Sequence, residues 1–369
     1  MIPVKLALQQ RIYPSYRQGF FELLADACVG GFTLFAGEAQ EWEHINAAES
    51  LEFGKFVLAK NIHISKEQFY FLYQMNMMRW LRKSDPDCLV LEANPRYLSS
   101  RSAIKWMHKK NRPVIGWGLG APQTGNPLVK KLWTGFINQF DALIAYSQQG
   151  KQEYAALGVP MENIFVAPNA VLPLPKEPYK PRKPHNWINV LYVGRLQERK
   201  KIDHLIKACA AINSKGERIA LIIVGDGPEK GKLEALAQRI LPQTKFVGEI
   251  HGEDVQPYFL QADLFVLPGT GGLAVQEALS YGLPVIVAEA DGTQSNMVRP
   301  ENGWVINPDN PKELVKALAQ AVMMRENLAV MGKVSHGIAS KEVNINQMVK
   351  VFGIAVEYGM KRREECEFL

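Results

Sequence analysis

Twelve short β-branched or apolar runs, separated by longer stretches of helical periodicity, constrain this chain more than any other feature. The first six are Val4–Leu8, Phe32–Phe35, Cys88–Glu92, Pro113–Trp117, Ala142–Tyr146 and Ile164–Ala167. The second six are Ile188–Val193, Ile219–Val224, Lys245–Val247, Leu264–Leu267, Pro284–Ala288 and Trp304–Ile306. Strands alternating with helices build parallel sheets, so the expected class is α/β. A chain of 369 residues exceeds what one core organises, and the two series predict two doubly wound, Rossmann-like domains. Prolines at 173, 175, 178, 181 and 184 exclude helix between the series. The expected layout is therefore a domain over 1–171, an extended linker over 172–187 and a domain over 188–344. The last helical pattern, about Ile345–Arg362, follows the second sheet and is expected to cross back to the first domain.

Composition narrows the class of partner. Hydrophobic residues make up 47% and charged residues 22%, which suits a folded soluble protein. Cys28, Cys88, Cys209 and Cys366 form no CxxC pair, and the seven histidines show no metal-ligand spacing. No metal site is expected. No apolar run reaches the ~18 residues of a membrane span and no leader pattern opens the chain, so a cytoplasmic location is expected. The net charge of +6 favours anionic partners. Basic residues gather at strand ends rather than along an aromatic platform, which argues against nucleic acid.

Open α/β sheets bind ligands beyond the carboxyl ends of their strands, and two facing sheets would enclose a cleft. Two segments of the second series carry the chemistry. In Val190–Asp203 a strand runs into Gly194 and a basic cluster of Arg195, Arg199, Lys200 and Lys201 at a helix start, which suits a diphosphate. A solvated basic helix end fits the same residues equally well. In Leu264–Ile286 a strand ends at Pro268, and Gly269, Thr270, Gly271 and Gly272 open into a helix from Leu273. Bare amides there would cradle phosphate. Glu277 on that helix could accept two ribose hydroxyls, although an acid near a helix N-terminus is also favourable without a ligand.

Together these segments resemble family 4 glycosyltransferases of the GT-B fold. The matching features are Gly194-Arg-Leu196 with Lys200 five residues after Arg195, and the run from Pro268 to Ile286 with its glycine loop, Glu277-Ala278 and Gly282-Leu-Pro-Val-Ile286. Val224-Gly-Asp-Gly-Pro228, Ala262-Asp-Leu-Phe-Val-Leu-Pro268 and Pro168-Asn169 match as well, in order, over about Phe165–Pro308. The resemblance implies a retaining glycosyltransferase with a nucleotide-sugar donor, a glycan or lipid-linked acceptor and no essential metal or other cofactor. On it, Arg195 and Lys200 neutralise the leaving diphosphate and Glu277 holds the ribose. Gly194, the loop from Gly269 to Leu273, and Gly248 with Glu249 beyond a neighbouring strand contact the donor. Closure of the two domains would bring the acceptor to the sugar. A GT-B phosphorylase or epimerase, or a non-catalytic nucleotide-sugar binder, are the alternatives.

One departure stands out. The family's Glu-x7-Glu motif has its second acid at Glu277, but its first position is Gly269. The expectation is that Gly269 leaves room for the sugar, so that Gly269→Glu alters sugar discrimination and spares the nucleoside diphosphate. In the first series, Arg11, Tyr13, Tyr16 and Arg17 resemble a subgroup's Tyr-Arg signature and are expected to point into the cleft, with Tyr16 and Arg17 as substrate contacts; docking of the first helix by Tyr16 and Phe20 is the other reading. Gly116-Trp-Gly-Leu-Gly120 lacks the histidine of many relatives, so no general base is assigned. Phe69–Lys83 reads as an amphipathic helix that packs on its sheet, with peripheral contact to an anionic membrane as the rival. Asp85-Pro-Asp87 precedes a strand and reads as a turn rather than a metal motif.

Overall fold

The computed structural model describes residues 1–40, 43, 45–64, 70–122, 125–175, 177–182, 186–250, 252–290 and 292–367. Phe69, Pro184, the histidines at 44, 185 and 251, and the Cys366 side chain lie outside them. The chain divides into two compact units, Met1–Pro173 with Ile345–Leu369, and Leu174–Asn344.

The first unit contains β1 (Leu6–Ile12), α1 (Gln18–Ala27), β2 (Phe32–Gly37), β3 (Lys55–Ile64), β4 (Phe71–Met75), α2 (Met77–Ser84), β5 (Cys88–Glu92), α3 (Leu98–Lys109), β6 (Val114–Gly118), α4 (Pro127–Ile137), β7 (Ala142–Ala145), α5 (Gln148–Ala155) and β8 (Ile164–Val166). Its sheet runs β4-β3-β2-β1-β5-β6-β7-β8. All neighbours are parallel except the β3–β4 hairpin. Strands such as Phe32–Gly37 and Ala142–Ala145 are buried at every residue, which is why they read as unbroken apolar runs rather than alternating ones.

The second unit contains β9 (Ile188–Val193), α6 (Ile202–Asn213), β10 (Ile219–Val224), α7 (Lys230–Ile240), β11 (Lys245–Gly248), α8 (Gln256–Gln261), β12 (Leu264–Leu267), α9 (Leu273–Ser280), β13 (Val285–Ala288), α10 (Gln294–Met297), β14 (Gly303–Ile306), α11 (Pro311–Met323) and α12 (Leu328–Lys341). Its six strands run β11-β10-β9-β12-β13-β14, all parallel. The proline-rich segment is fastened to this unit rather than spanning free. Arg182 donates to the carbonyls of Gly282 and Tyr281, each at 2.9 Å, and the Tyr179 hydroxyl donates to Ala329 O. The final helix, α13 (Ile345–Glu367), belongs to the first unit, where Phe352 is fully buried against Phe20 and Trp117.

Two local expectations are corrected. Phe69–Lys83 is not one helix: Phe71–Met75 pairs antiparallel with Lys60–Ile64 as β4, and Asn76, left-handed at φ 66°, separates it from α2. Its aromatic, β-prone residues find a strand partner, a tertiary opportunity that helical periodicity does not register. The β3–β4 hairpin was not anticipated at all. In α2, Trp80 stacks on Phe35 with ring centroids 4.8 Å apart and donates to Thr33 Oγ1 at 3.0 Å, so that helix packs on the sheet. Tyr13 points into the core instead of a cleft, 1% exposed and edge-on to Phe21 and Phe56.

Asp85 and Asp87 lie at the amino end of β5, as a turn requires. Asp85 caps α2 and pairs with Lys110 and Arg112, while Asp87 accepts from the Lys5 amide at 2.9 Å.

Candidate active site

The strand order of the second unit marks where a ligand crevice is expected before any side chain is considered. From β9 the chain winds outward through β10 and β11, then returns to β12 on the other side of β9 and winds outward through β13 and β14. The point between β9 and β12 is thus a topological switch, where diverging loops leave a crevice at the carboxyl edge. Both sequence segments end there. Gly194 to Lys200 follow β9, and Gly269 to Gly272 follow β12.

The two loops are joined to each other. Lys200 Nζ donates to Thr270 O at 2.5 Å, Arg199 Nη1 donates to Thr270 Oγ1 at 2.9 Å, and the Thr270 amide donates to Arg199 O at 3.3 Å. Burial, reinforced by the neighbouring Arg199 charge, lowers the Lys200 ammonium to about 8. An ammonium has three donors, and one is spent on Thr270, leaving two for a ligand. Arg195, by contrast, is exposed and its guanidinium has no hydrogen-bond or ion-pair partner among the described residues.

The glycine loop is positioned from its other side as well. Gln294, 2% exposed at the start of α10, donates from Nε2 to Gly271 O at 2.7 Å. In a trans peptide the carbonyl and the following N–H point opposite ways, so this bond turns the Gly272 N–H away from Gln294. The Lys200 bond to Thr270 O does the same for Gly271. Neither of these amides nor that of Leu273 has a partner among the described residues, and α9 has no side-chain N-cap. Three unpaired N–H groups at a helix start, with Lys200 fastened to the same loop, are an arrangement suited to an anion. Gln294 was missed in the sequence; a glutamine in a turn after a strand carries no spacing signal.

Glu277 sits in the second turn of α9. Burial pushes its carboxyl up to about 7, and it has no hydrogen-bond or ion-pair partner among the described residues. A half-buried, unpaired acid is costly to the fold and is available to hydroxyl donors. Gly248, at φ 87°, presents its carbonyl to the Gly225 amide at 2.7 Å, and Glu249 after it is exposed. This pairing ties the β11 end to the neighbouring loops; a Cβ on Gly225 would lie 2.0 Å from Gly194 O.

Gly269 is corrected. A Cβ there would lie 2.3 Å from Arg199 O and 2.6 Å from Lys200 backbone atoms. The glycine is the crossing point of the two loops, so its missing side chain serves backbone contact and is not room left for a sugar.

In the first unit the corresponding switch lies between β1 and β5. Arg17 and Tyr16 follow β1 there; Arg17 is 8% exposed, with its guanidinium 5.0 Å over the Trp117 ring, and Tyr16 is 45% exposed. Arg11 is occupied by Glu43 at 2.8 Å.

With the geometry in place, comparison with known proteins decides the family of the fold. Residues 175–335 match the model of glycosyl transferases group 1, and residues 39–173 that of glycosyltransferase family 4. The fold is that of the group 1, family 4 GT-B glycosyltransferases. Sulfoquinovosyl transferase SQD2 of Arabidopsis thaliana is 32% identical over 152 residues, which cover 39% of this chain and 28% of SQD2. The amylovoran biosynthesis glycosyltransferase AmsK of Erwinia amylovora is 29% identical over 208 residues, 53% of this chain and 50% of AmsK. The chain thus spans half or less of the length of these curated relatives. The GT-B architecture extends further than the sequence likeness: Anabaena HepE in complex with UDP superposes with a TM-score of 0.68 at 17% identity, covering 95% of this chain and 99% of HepE.

Proposed function

We propose that this chain transfers a sugar, with retention of anomeric configuration, from a nucleoside diphosphate sugar to a hydroxyl of a glycan or lipid-linked acceptor. The observation that carries this reading is the set of unpaired groups at the β9–β12 switch: three loop amides, the Arg195 guanidinium, two free protons of Lys200, and the Glu277 carboxyl. They suit a ligand with a diphosphate at one end and a ribose diol beside it. The solved HepE complexes contain UDP and UDP-glucose, and that chemistry fits these groups.

In the reaction the bond between the anomeric carbon and the β-phosphate oxygen breaks, and the acceptor oxygen bonds to that carbon. The acceptor's proton passes to the leaving phosphate oxygen. Negative charge grows on the diphosphate as its bond to the sugar lengthens, and fixed positive groups beside it lower the barrier because they need no reorganisation. Arg195, Lys200 and the amides of Gly271, Gly272 and Leu273 fill that role. Glu277 receives the ribose hydroxyls and sets the register of the nucleotide. With this charge supplied by side chains and backbone, transfer proceeds without an added metal.

The test is nucleoside diphosphate release from a panel of UDP-, GDP- and ADP-sugars, with sugar and polyol acceptors, before and after EDTA. Acceptor-dependent release that survives EDTA supports the proposal. Binding of donors with no product from any of them speaks for a non-catalytic binder, and strict dependence on added phosphate speaks for a phosphorylase.

A further inference from the structure

Arg17 is the only Lys or Arg among the described residues that is buried, at 8% exposure. Asp141 offers the comparison, being the only buried carboxylate among the described residues, at 6%. Asp141 is fully served: Arg363 lies at 2.8 Å, His108 at 3.2 Å, and the Val114 amide donates at 2.8 Å. Arg17 makes no contact ion pair with a carboxylate among the described residues; the Tyr146 hydroxyl is its side-chain hydrogen-bond partner and Glu92 acts on it only at longer range. The acid of the neighbouring loop, Glu43, is taken by Arg11. Glu92, the nearest strand-end acid, accepts from the Arg11 amide at 2.8 Å, and burial pushes its carboxyl up to about 7. A guanidinium has five N–H donors, and one side-chain hydrogen bond to Tyr146 leaves others for an anionic ligand.

The position favours a ligand over a packing role. Arg17 stands at the carboxyl edge of its sheet, at the β1–β5 switch, where the 3-10 turn Ser15–Arg17 follows β1. Its guanidinium lies 5.0 Å over Trp117 and 5.7 Å from the Tyr146 ring centre, with Tyr16 half exposed beside it. A guanidinium held against aromatic rings keeps N–H donors that can grip the oxygens of an anion. The Trp117 indole N–H, buried with no partner, is a further donor next to it.

We propose that the first unit holds an oxyanion, a phosphate or carboxylate group, on Arg17, and that the acceptor of the reaction carries such a group. The second clause rests on the function proposed above; the first does not. Neutral sugars lacking the anion should bind this unit poorly, because they offer the remaining guanidinium donors no charged oxygen.

The experiment uses the full chain bearing Arg195→Ala and Lys200→Ala, so that the second unit does not compete for anions. Inorganic phosphate, glucuronate and glucose are titrated while the tryptophan indole signals are followed by 1H–15N NMR. The Trp117 signal is the one missing from a Trp117→Phe spectrum. The expected result is a saturable shift of that signal with phosphate and with glucuronate, at least roughly tenfold weaker with glucose, lost in Arg17→Met and partly restored in Arg17→Lys. Phosphate alone shifting the signal assigns a phosphate site, and glucuronate alone a carboxylate site; either supports the proposal. Equal response to glucose, or shifts unchanged in Arg17→Met, overturns it. If Arg17→Met fails to fold, the comparison of charged and neutral probes on the Arg17-containing protein still decides. Nucleoside diphosphate binding to the wild type, measured separately, judges the donor reading on its own.

Discussion

The Lys200 ammonium donates to the Thr270 carbonyl at 2.5 Å, so the principal cation of the site and its glycine loop are assembled before any ligand arrives. Arg195 follows the same strand but stands exposed and unpartnered. The two should therefore part company when mutated. Lys200→Ala and Arg195→Ala each weaken nucleoside diphosphate binding by ~1.5–3 kcal/mol, the range for charged hydrogen bonds. Only Lys200→Ala should also change the melting temperature, because only Lys200 bridges two loops. Calorimetry and thermal melts on both variants check this.

Binding should depend on pH in a narrow window. Glu277, lifted to about 7, is a carboxylate only above that pH, and Lys200, lowered to about 8, is an ammonium only below that pH. Both are charged between the two, so nucleoside diphosphate affinity peaks at pH 7–8 and falls on either side. Titrations from pH 5.5 to 9.5 (roughly the span of the two transitions) should show the acid limb flattened in Glu277→Ala, beyond what ligand protonation contributes. The alkaline limb should vanish in Lys200→Ala.

The same acid costs the fold stability. A carboxyl raised from 4.5 to about 7 binds more protons folded than unfolded, so stability declines as pH rises through that interval and the full penalty applies above 7. Glu277→Gln should accordingly stabilise the protein by about 1–3 kcal/mol at pH 8, discounted for partial exposure, and by little at pH 4. Denaturant melts at the two pH values measure it. A destabilised variant at pH 8 would mean the carboxylate has a partner.

Gly269 and Gly272 should respond differently to alanine. At Gly269 a methyl meets backbone at 2.3 Å, which forces the loops apart; at Gly272 the nearest atoms, Thr293 Oγ1 and Gln294 Nε2, are at 3.7 and 3.9 Å. Gly269→Ala should lower stability by ~1–3 kcal/mol and impair nucleoside diphosphate binding with it, the usual cost of overpacking. Gly272→Ala should leave the melt nearly unchanged. A fully stable Gly269→Ala protein would contradict the loop crossing.

The legible part of this molecule was the part governed by local pattern. Fully buried parallel strands read as apolar runs, and the glycine and basic residues after β9 and β12 marked two loops that the fold does bring together at the strand-order switch. What escaped depends on contacts distant in sequence. Phe71–Met75 is a strand because Lys60–Ile64 pairs with it, and Tyr13 turns inward because Phe21 and Phe56 enclose it. Gln294 acts on Gly271 from 23 residues away. Gly269 looked like a lost acid, yet its reason lies in the backbone of Arg199 and Lys200, about seventy positions upstream by sequence number.

Whether the β9–β12 switch of the second unit holds a nucleoside diphosphate is decided by calorimetric titration of UDP, GDP and ADP into wild type, Lys200→Ala and Glu277→Ala. The expected result is saturable, one-site binding of at least one of them to the wild type, weakened roughly tenfold or more by each substitution, since each removes a charged contact. No binding of any of the three, or binding that neither substitution alters, would contradict it.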